Sequence, residues 1–240
     1  MKQADALERG REHVAERAWA HAYETLRQAD GEAPLDAADL WLLATAAYMT
    51  GREDEFVAAV ERAHQGHFDA GETLPAARCA VWIGIVLSLR GEVGPATGWF
   101  RRSRRLVQQV DTDCVERGWL LLPEVLVHVE DKRWKEATDA AAAAADIAER
   151  FHDRDLFALA THEQGHALVR QGRPAEGFAL LDEAMVAAVG GELSPVVTGL
   201  VYCGVIAYCQ QLHDVRRAGE WTAALTRWCD DQPEMVAYTG

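Results

Sequence analysis

The clearest alternation of apolar and polar positions lies in residues 156–188, LFALATHEQGHALVRQGRPAEGFALLDEAMVAA. Two stretches with apolar residues at helical spacing flank Gly172-Arg173-Pro174, a sequence typical of a tight turn. Leu181 follows Gly177 by four positions, which places both on one face of the second helix. The pattern predicts a hairpin of two helices, A and B, that cross at Gly165 and Gly177, where larger side chains would hold the helices apart.

The same pattern recurs along the chain. A reference residue in the middle of each helix A repeats every 34 to 41 residues, and a turn residue follows it by seven positions. A sustained period in this range is typical of a helical solenoid. We therefore predict an all-α solenoid of helical hairpins with about six repeats and twelve helices. The reference residues are Gly10, Ala44, Gly84, Val125, Gly165 and Ile206, and the turn residues are Arg17, Gly51, Gly91, Lys132, Gly172 and His213.

Residues with strong local preferences mark the helix ends, since Asp and Ser cap helix starts and Pro and Gly interrupt helices. Residues 65–73, with two glycines, are interpreted as a connection, and Pro123 is expected at a kink or in a first turn. No linker divides the chain, so we predict a single domain spanning residues 1–240. The predicted helix starts use Asp36 or Asp39, Pro75, Gly94-Pro95, Asp111-Thr112-Asp113, Asp153 or Asp155 and Ser194-Pro195, and the predicted ends use Pro34 and Gly190-Gly191.

The order of small residue, glycine turn, alanine, large apolar residue and alanine resembles the tetratricopeptide repeat (TPR). Three stretches, DLWLLATAAYMTGREDEFVAAVERAH, GELSPVVTGLVYC and EWTAALTRWC, are similar to the TPR region of large bacterial LuxR-type transcription regulators. The resemblance covers nearly the whole chain and implies a right-handed superhelix that serves as a sensor or protein-interaction segment. The sequence has neither the GxxxxGK[ST] phosphate loop nor the C-terminal helix-turn-helix of those proteins. It is interpreted as a fragment or a stand-alone relative, with a further helix A expected to begin at residues 235–240.

The TPR resemblance also implies a binding groove. In that family the groove is lined by helix A, at the position three before the reference residue and at those one, four and five after it. A groove of this kind would bind a peptide, a protein segment or an apolar small molecule; the alternative is a scaffold in which neighbouring repeats cover these residues. The groove residues implied are Trp41, Thr45, Tyr48 and Met49; Val81, Ile85, Ser88 and Leu89; Leu122, Leu126, Val129 and Glu130; His162, His166, Val169 and Arg170; and Cys203, Ala207, Gln210 and Gln211.

One motif has the composition of a catalytic site. His162-Glu163-Gln164-Gly165-His166 fits H-E-x-x-H, in which two histidines on one helix face bind zinc and the glutamate acts as general base. A catalytic zinc needs a third protein ligand, which Cys203 or Glu130 could supply. The repeat itself already requires a small residue at Gly165. We therefore predict a non-catalytic protein without a cofactor, and keep a zinc-dependent hydrolase as the alternative.

The amino-acid composition argues against several classes of partner and site. The net charge of −14 argues against direct nucleic-acid binding, with Arg101-Arg102-Ser103-Arg104-Arg105 as a local exception interpreted as a solvated helix face. Five cysteines without a C-x-x-C pair argue against a disulfide framework.

No apolar run approaches the ~20 residues that span a membrane, and the charged N-terminus has no signal core. We expect a cytoplasmic protein, with a terminal repeat as the site of any homodimer.

Overall fold

The computed structural model describes residues 3–232 and 234–238, which form helices, turns and short connections without a β-strand. Twelve helices in this part of the chain have nine residues or more, and a thirteenth has four. The helices are α1 (Gln3–Ala15), α2 (Trp19–Glu32), α3 (Ala37–Met49), α4 (Glu53–Asp69), α5 (Thr73–Leu89), α6 (Val93–Val107), α7 (Glu116–Trp119), α8 (Leu122–Glu130), α9 (Trp134–Phe151), α10 (Arg154–Arg170), α11 (Pro174–Val189), α12 (Pro195–Gln211) and α13 (Val215–Asp230).

The chain divides into two compact units. Unit 1 contains Met1–Val110 together with Cys229–Gly240, and unit 2 contains Asp111–Trp228. Unit 1 thus holds the first three hairpins and the C-terminal residues, whereas unit 2 holds the last three hairpins. The single domain over residues 1–240 stays a prediction. In the described residues, no helix is both long enough and apolar enough to cross a membrane.

All six predicted turn residues have left-handed backbone conformations, with φ between 58° and 83°. In each turn, the residue after the turn residue donates its backbone N–H to the carbonyl five positions earlier, as Arg173 does to Leu168 at 3.0 Å. This bond satisfies a carbonyl at the end of helix A that has no partner inside the helix. Three turns use glycine, and Arg17, Lys132 and His213 adopt the same conformation with a side chain. The repeat pattern therefore predicted the turn positions correctly, whether or not they hold glycine.

Lys132→Gly is expected to stabilise unit 2 by about 0.5 to 1 kcal/mol, because a side chain in the left-handed region carries a steric cost that glycine avoids. The matched control is Ala143→Gly, at an exposed position inside α9, which we expect to cost about 1 kcal/mol. Urea denaturation of both variants measures the two shifts. A destabilised Lys132→Gly protein would contradict this explanation of the turn.

In the first, third and fifth hairpins, the two helices approach closely at the small residues. A Cβ atom added at Gly84 would lie 2.4 Å from the Phe100 ring, and one added at Gly10 would lie 2.6 Å from the Leu26 side chain. In the fifth hairpin, a Cβ on Gly165 would lie 2.7 Å from the carbonyl oxygen of Gly177. The predicted crossing point is therefore correct.

Two predicted boundaries were wrong. The fourth helix A is split into α7 and α8, because proline has no N–H to continue a helix from α7. Pro123 itself lies in the first turn of α8, which confirms one of the two positions predicted for it. Asp113 accepts a hydrogen bond from the next residue, Cys114, and does not cap α7, which has no side-chain cap. The predicted connection over residues 65–73 is mostly helix, since α4 continues through Gly66 to Asp69.

The other end signals largely agree with the structure. Asp36 accepts from the Asp39 N–H at 2.9 Å, and Asp153 accepts from the Leu156 N–H at 3.0 Å, so each caps its helix. Ser194 occupies the cap position of α12, although its side chain makes no capping hydrogen bond. The further helix A expected at residues 235–240 is absent from the described part, because residues 234–238 form turns that pack on unit 1.

Candidate functional site

In unit 1, the predicted groove positions are largely covered. Thr45, Tyr48 and Val81 are buried, and Trp41 and Ile85 are half-buried. The Tyr48 ring packs edge-on against Phe56 at 5.4 Å and lies 6.2 Å from the ring of Tyr238. The C-terminal residues of the chain therefore reach the predicted groove at the second hairpin.

We call Gln232 and residues 234–238 the C-terminal segment. The backbone N–H groups of Val236 and Ala237 both donate to the carbonyl oxygen of Met49, at 2.9 and 3.3 Å. Met49 is the last residue of α3, so its carbonyl has no partner within that helix. The segment supplies the missing donors.

The other end of the C-terminal segment contacts the start of α2. The Trp19 indole N–H donates to the side-chain oxygen of Gln232 at 2.9 Å, and both side chains are buried. The Glu234 carboxylate accepts from the Ala20 N–H at 3.2 Å and lies 3.0 Å from His21 Nδ1. An anion at a helix N-terminus is stabilised by the free N–H groups and by the helix dipole.

In unit 2, the predicted groove positions form a buried floor and an exposed surface. His162, His166 and Leu122 are buried. The exposed positions are Leu126, Glu130, Arg170, Cys203, Gln210 and Gln211. We call these exposed positions on α8, α10 and α12 the open face.

A polar cluster lies beneath the open face, at the contact between α10 and α12. The Tyr208 hydroxyl donates to Glu163 Oε1 at 2.8 Å, and the Tyr208 ring stacks on His166 with 3.7 Å between ring centroids. His162 Nε2 lies 3.4 Å from the same Glu163 oxygen. Gly204 makes room for the His162 ring, since a Cβ at position 204 would lie 2.8 Å from His162 Nε2. Tyr208 thus covers the histidines and the glutamate of the motif.

The hydrogen-bond partners indicate which atoms of this cluster carry a proton. His162 Nδ1 lies 2.7 Å from the carbonyl oxygen of Leu159, which can only accept, so Nδ1 carries a proton. Burial, with Glu163 as a second cause, raises the pKa of Tyr208, so its hydroxyl stays a donor.

Two atoms of the cluster, Glu163 Oε2 and His166 Nδ1, are buried without a hydrogen-bond partner. Burial lowers the pKa of His166 to about 4, with smaller contributions from His162 and Arg170, so this imidazole is neutral at pH 7. Trp134 packs edge-on against His166 at 5.8 Å, and Arg170 lies over the Trp134 ring. The cluster is a buried, aromatic environment in which an unpartnered polar atom is costly.

The arrangement does not fit a zinc site. In the part of the chain described, no group of three or more His, Cys, Asp and Glu side chains is placed to hold a metal ion. Cys203 and Glu130, which could have supplied a third ligand, do not form such a group with His162 and His166 in the described residues. Metal binding by His162 and His166 alone stays a prediction.

Sequence reasoning missed Tyr208 and the C-terminal segment. Tyr208 lies two positions after its reference residue, between the positions that the TPR resemblance selects. The equivalent residues of the four preceding repeats are Ala46, Val86, Val127 and Ala167. A large polar aromatic at a position that holds small or aliphatic residues in the four preceding repeats is a signal that could have identified it.

Three solved structures have a similar fold. The apo form of the quorum sensor NprR from B. thuringiensis aligns with a TM-score of 0.61 and 11% identity, over 95% of this chain and 73% of that one. A Rap protein complexed with Competence and Sporulation Factor aligns with a TM-score of 0.62 and 12% identity, over 95% and 75%. The TPR-like repeats of a putative kinesin light chain from Podosopora anserina align with a TM-score of 0.50 and 14% identity, over 80% and 96%.

The fold of this chain is therefore an all-α, TPR-like helical repeat, as the periodicity predicts. No protein-family model matches the sequence, and no curated protein matches it.

Proposed function

We propose that this chain is a non-catalytic helical-repeat module that binds an extended segment of another protein on the open face of unit 2. One observation carries the proposal. At the fifth position after the reference residue, Met49 of unit 1 is fully buried and its carbonyl binds the chain's own C-terminal segment. The equivalent residues of unit 2 are all exposed: Glu130, Arg170 and Gln211. The helix position that holds a segment in the second hairpin is thus exposed in all three hairpins of unit 2.

The chemistry of the open face suits a protein segment. Leu126, with 37% of its surface exposed, offers an apolar contact, while Glu130 and Arg170 offer charges of opposite sign. Mixed apolar and polar contacts of this kind are typical of protein–protein interfaces. A cavity of about 580 Å³ lies elsewhere in unit 2, and its lining combines apolar residues such as Phe157 and Val186 with charged residues such as Arg154. A protein segment is therefore the ligand that we assign to the open face.

We further propose that the module is the cytoplasmic sensor or interaction segment of a LuxR-type transcription regulator. The sequence resemblance in residues 39–64, 191–203 and 220–229 supports this role. Among proteins of similar fold, one is a quorum sensor and another is complexed with Competence and Sporulation Factor, so the fold is used for recognition elsewhere. The net charge of −14 makes direct DNA contact by this chain unfavourable.

Leu126→Asp is expected to weaken the binding of a protein segment at least ~10-fold, because a charge replaces the apolar contact of the open face. The probe is a displayed library of random twelve-residue peptides, selected on the full chain and then measured singly by fluorescence anisotropy. The matched control is Val186→Asp, since Val186 is also largely exposed but lies on α11 beside the cavity.

The outcomes separate the two surfaces and the two ligand classes. Peptides that lose affinity with Leu126→Asp and keep it with Val186→Asp support the proposal. The reverse pattern would place the ligand at the cavity. Failure to select any peptide, with stabilisation by apolar compounds only, would contradict the choice of a protein segment.

A further inference from the structure

The C-terminal segment connects two helix ends that lack partners of their own. Each α-helix leaves its first N–H groups and its last carbonyl groups without partners inside the helix. The Glu234 carboxylate occupies the start of α2, at the Ala20 N–H, and two backbone N–H groups occupy the Met49 carbonyl at the end of α3. These contacts bind two successive backbone N–H groups and one acidic side chain of the segment. They are independent of the open face of unit 2.

An apolar anchor lies between these two polar contacts. Met235 has 4% of its surface exposed, whereas its neighbour Val236 has 59%. The hydrogen bond between Trp19 and Gln232 is also buried. The surface thus selects a segment in which a residue with a carboxylate is followed directly by a large apolar residue.

The next hairpin shows this position without a covering segment. Leu89 at the end of α5 occupies the position that Met49 has at the end of α3, and 60% of the Leu89 surface is exposed. Met49 is fully buried, and its carbonyl binds the C-terminal segment. The equivalent position of the third hairpin is therefore exposed in the absence of a covering segment.

We propose that the surface at the start of α2 and the end of α3, formed around Trp19, Ala20 and Met49, is a binding site for a short acidic–apolar segment, which the C-terminal segment fills in cis. A segment of another protein with the same chemistry competes for this site. The cis segment contributes one buried apolar side chain and a few hydrogen bonds, against the entropy of ordering its backbone. It is therefore an occupant that a competitor can displace, although its tethering gives it a high effective concentration.

The test uses the full chain and a synthetic peptide with the sequence of residues 230–238, DDQPEMVAY, labelled with fluorescein at its N-terminus. Met235→Asn in the protein removes the apolar anchor and releases the cis segment. Val236→Asn is the matched control, because the same change at an exposed neighbour leaves the segment bound. We expect Met235→Asn to bind the peptide at least ~10-fold more tightly than the wild type, since it removes the internal competitor. Val236→Asn should behave as the wild type.

Two further measurements test the details. Hydrogen exchange of residues 229–240 should accelerate in Met235→Asn, because the Val236 and Ala237 amides lose the Met49 carbonyl. A peptide with Glu234→Gln should bind Met235→Asn more weakly, because its side chain no longer carries the charge that the α2 N-terminus favours.

Equal peptide affinity for wild type and Met235→Asn would overturn the proposal, as would no binding to either. An unchanged affinity of the Glu234→Gln peptide would overturn the role of the carboxylate. The outcome is distinguishable from that of the proposed function, because peptides selected for the open face depend on Leu126 and are expected to be indifferent to Met235→Asn.

Discussion

Gly177→Ala is expected to destabilise unit 2 by about 3 kcal/mol, as found for over-packed sites without room to adjust. The added Cβ would lie 2.5 Å from the carbonyl oxygen of Gly165 and 2.9 Å from the backbone nitrogen of Val169. Both are backbone atoms of α10, so no rotamer change can relieve the contact. The two helices of the fifth hairpin would have to separate.

The matched control for this prediction is Gly219→Ala in α13. A Cβ at Gly219 would have no atom within 4 Å, and the residue is exposed. Alanine is the better helix former, so this substitution should stabilise by about 1 kcal/mol. Urea denaturation followed by circular dichroism measures both variants. If the two glycines respond alike, close approach is not the reason that position 177 is glycine.

A separation of the α10–α11 hairpin would also disturb the site. Gly177 contacts Gly165, which lies within the histidine motif and is followed by His166. The motif is therefore explained first by packing: its glycine is the small residue of the repeat. The histidines and Glu163 lie where the periodicity places them, and their chemistry follows from what covers them.

The fold was predictable because its rules are local. A residue in the left-handed region every 34 to 41 positions, a small residue at each crossing and capping side chains such as Asp36 and Asp153 are all visible within one repeat. The split of the fourth helix A was less visible, because Pro123 is compatible both with a kink and with a first turn. The continuation of α4 through Gly66 depends on packing, since a helix tolerates an isolated glycine at a cost of about 1 kcal/mol.

The site was predictable only in part, because its decisive contacts join residues far apart in sequence. Tyr208 meets Glu163 across 45 positions, and Gln232 meets Trp19 across 213. Periodicity places a side chain on a helix face but does not say which distant group reaches it. The TPR resemblance predicted His162 and His166 as groove residues. Tyr208, which packs over both histidines, is not one of the groove positions that the resemblance implies.

The buried imidazole of His166 is expected to make unit 2 sensitive to acid. Burial lowers its pKa to about 4, whereas an unfolded chain has a value near 6.5. Between these values the unfolded state binds more protons than the folded state, so stability is fully present above pH 6.5 and is lost as the pH falls towards 4. The groups facing this ring are His162, Tyr208, Trp134 and Arg170. None of them is a carboxylate that would stabilise a protonated imidazole. A shift of this size corresponds to roughly 3 kcal/mol.

His166→Phe should remove this dependence, because phenylalanine keeps the stacking on Tyr208 and does not titrate. The free energy of unfolding is measured by urea denaturation at pH 7 and at pH 4 for wild type and variant. Carboxylates that protonate over the same range contribute to both proteins, so the difference between their pH responses isolates the imidazole. His166→Gln is the second variant, since it also removes the titration but retains a polar group. If all three proteins lose the same free energy between pH 7 and pH 4, His166 is not held neutral by its burial.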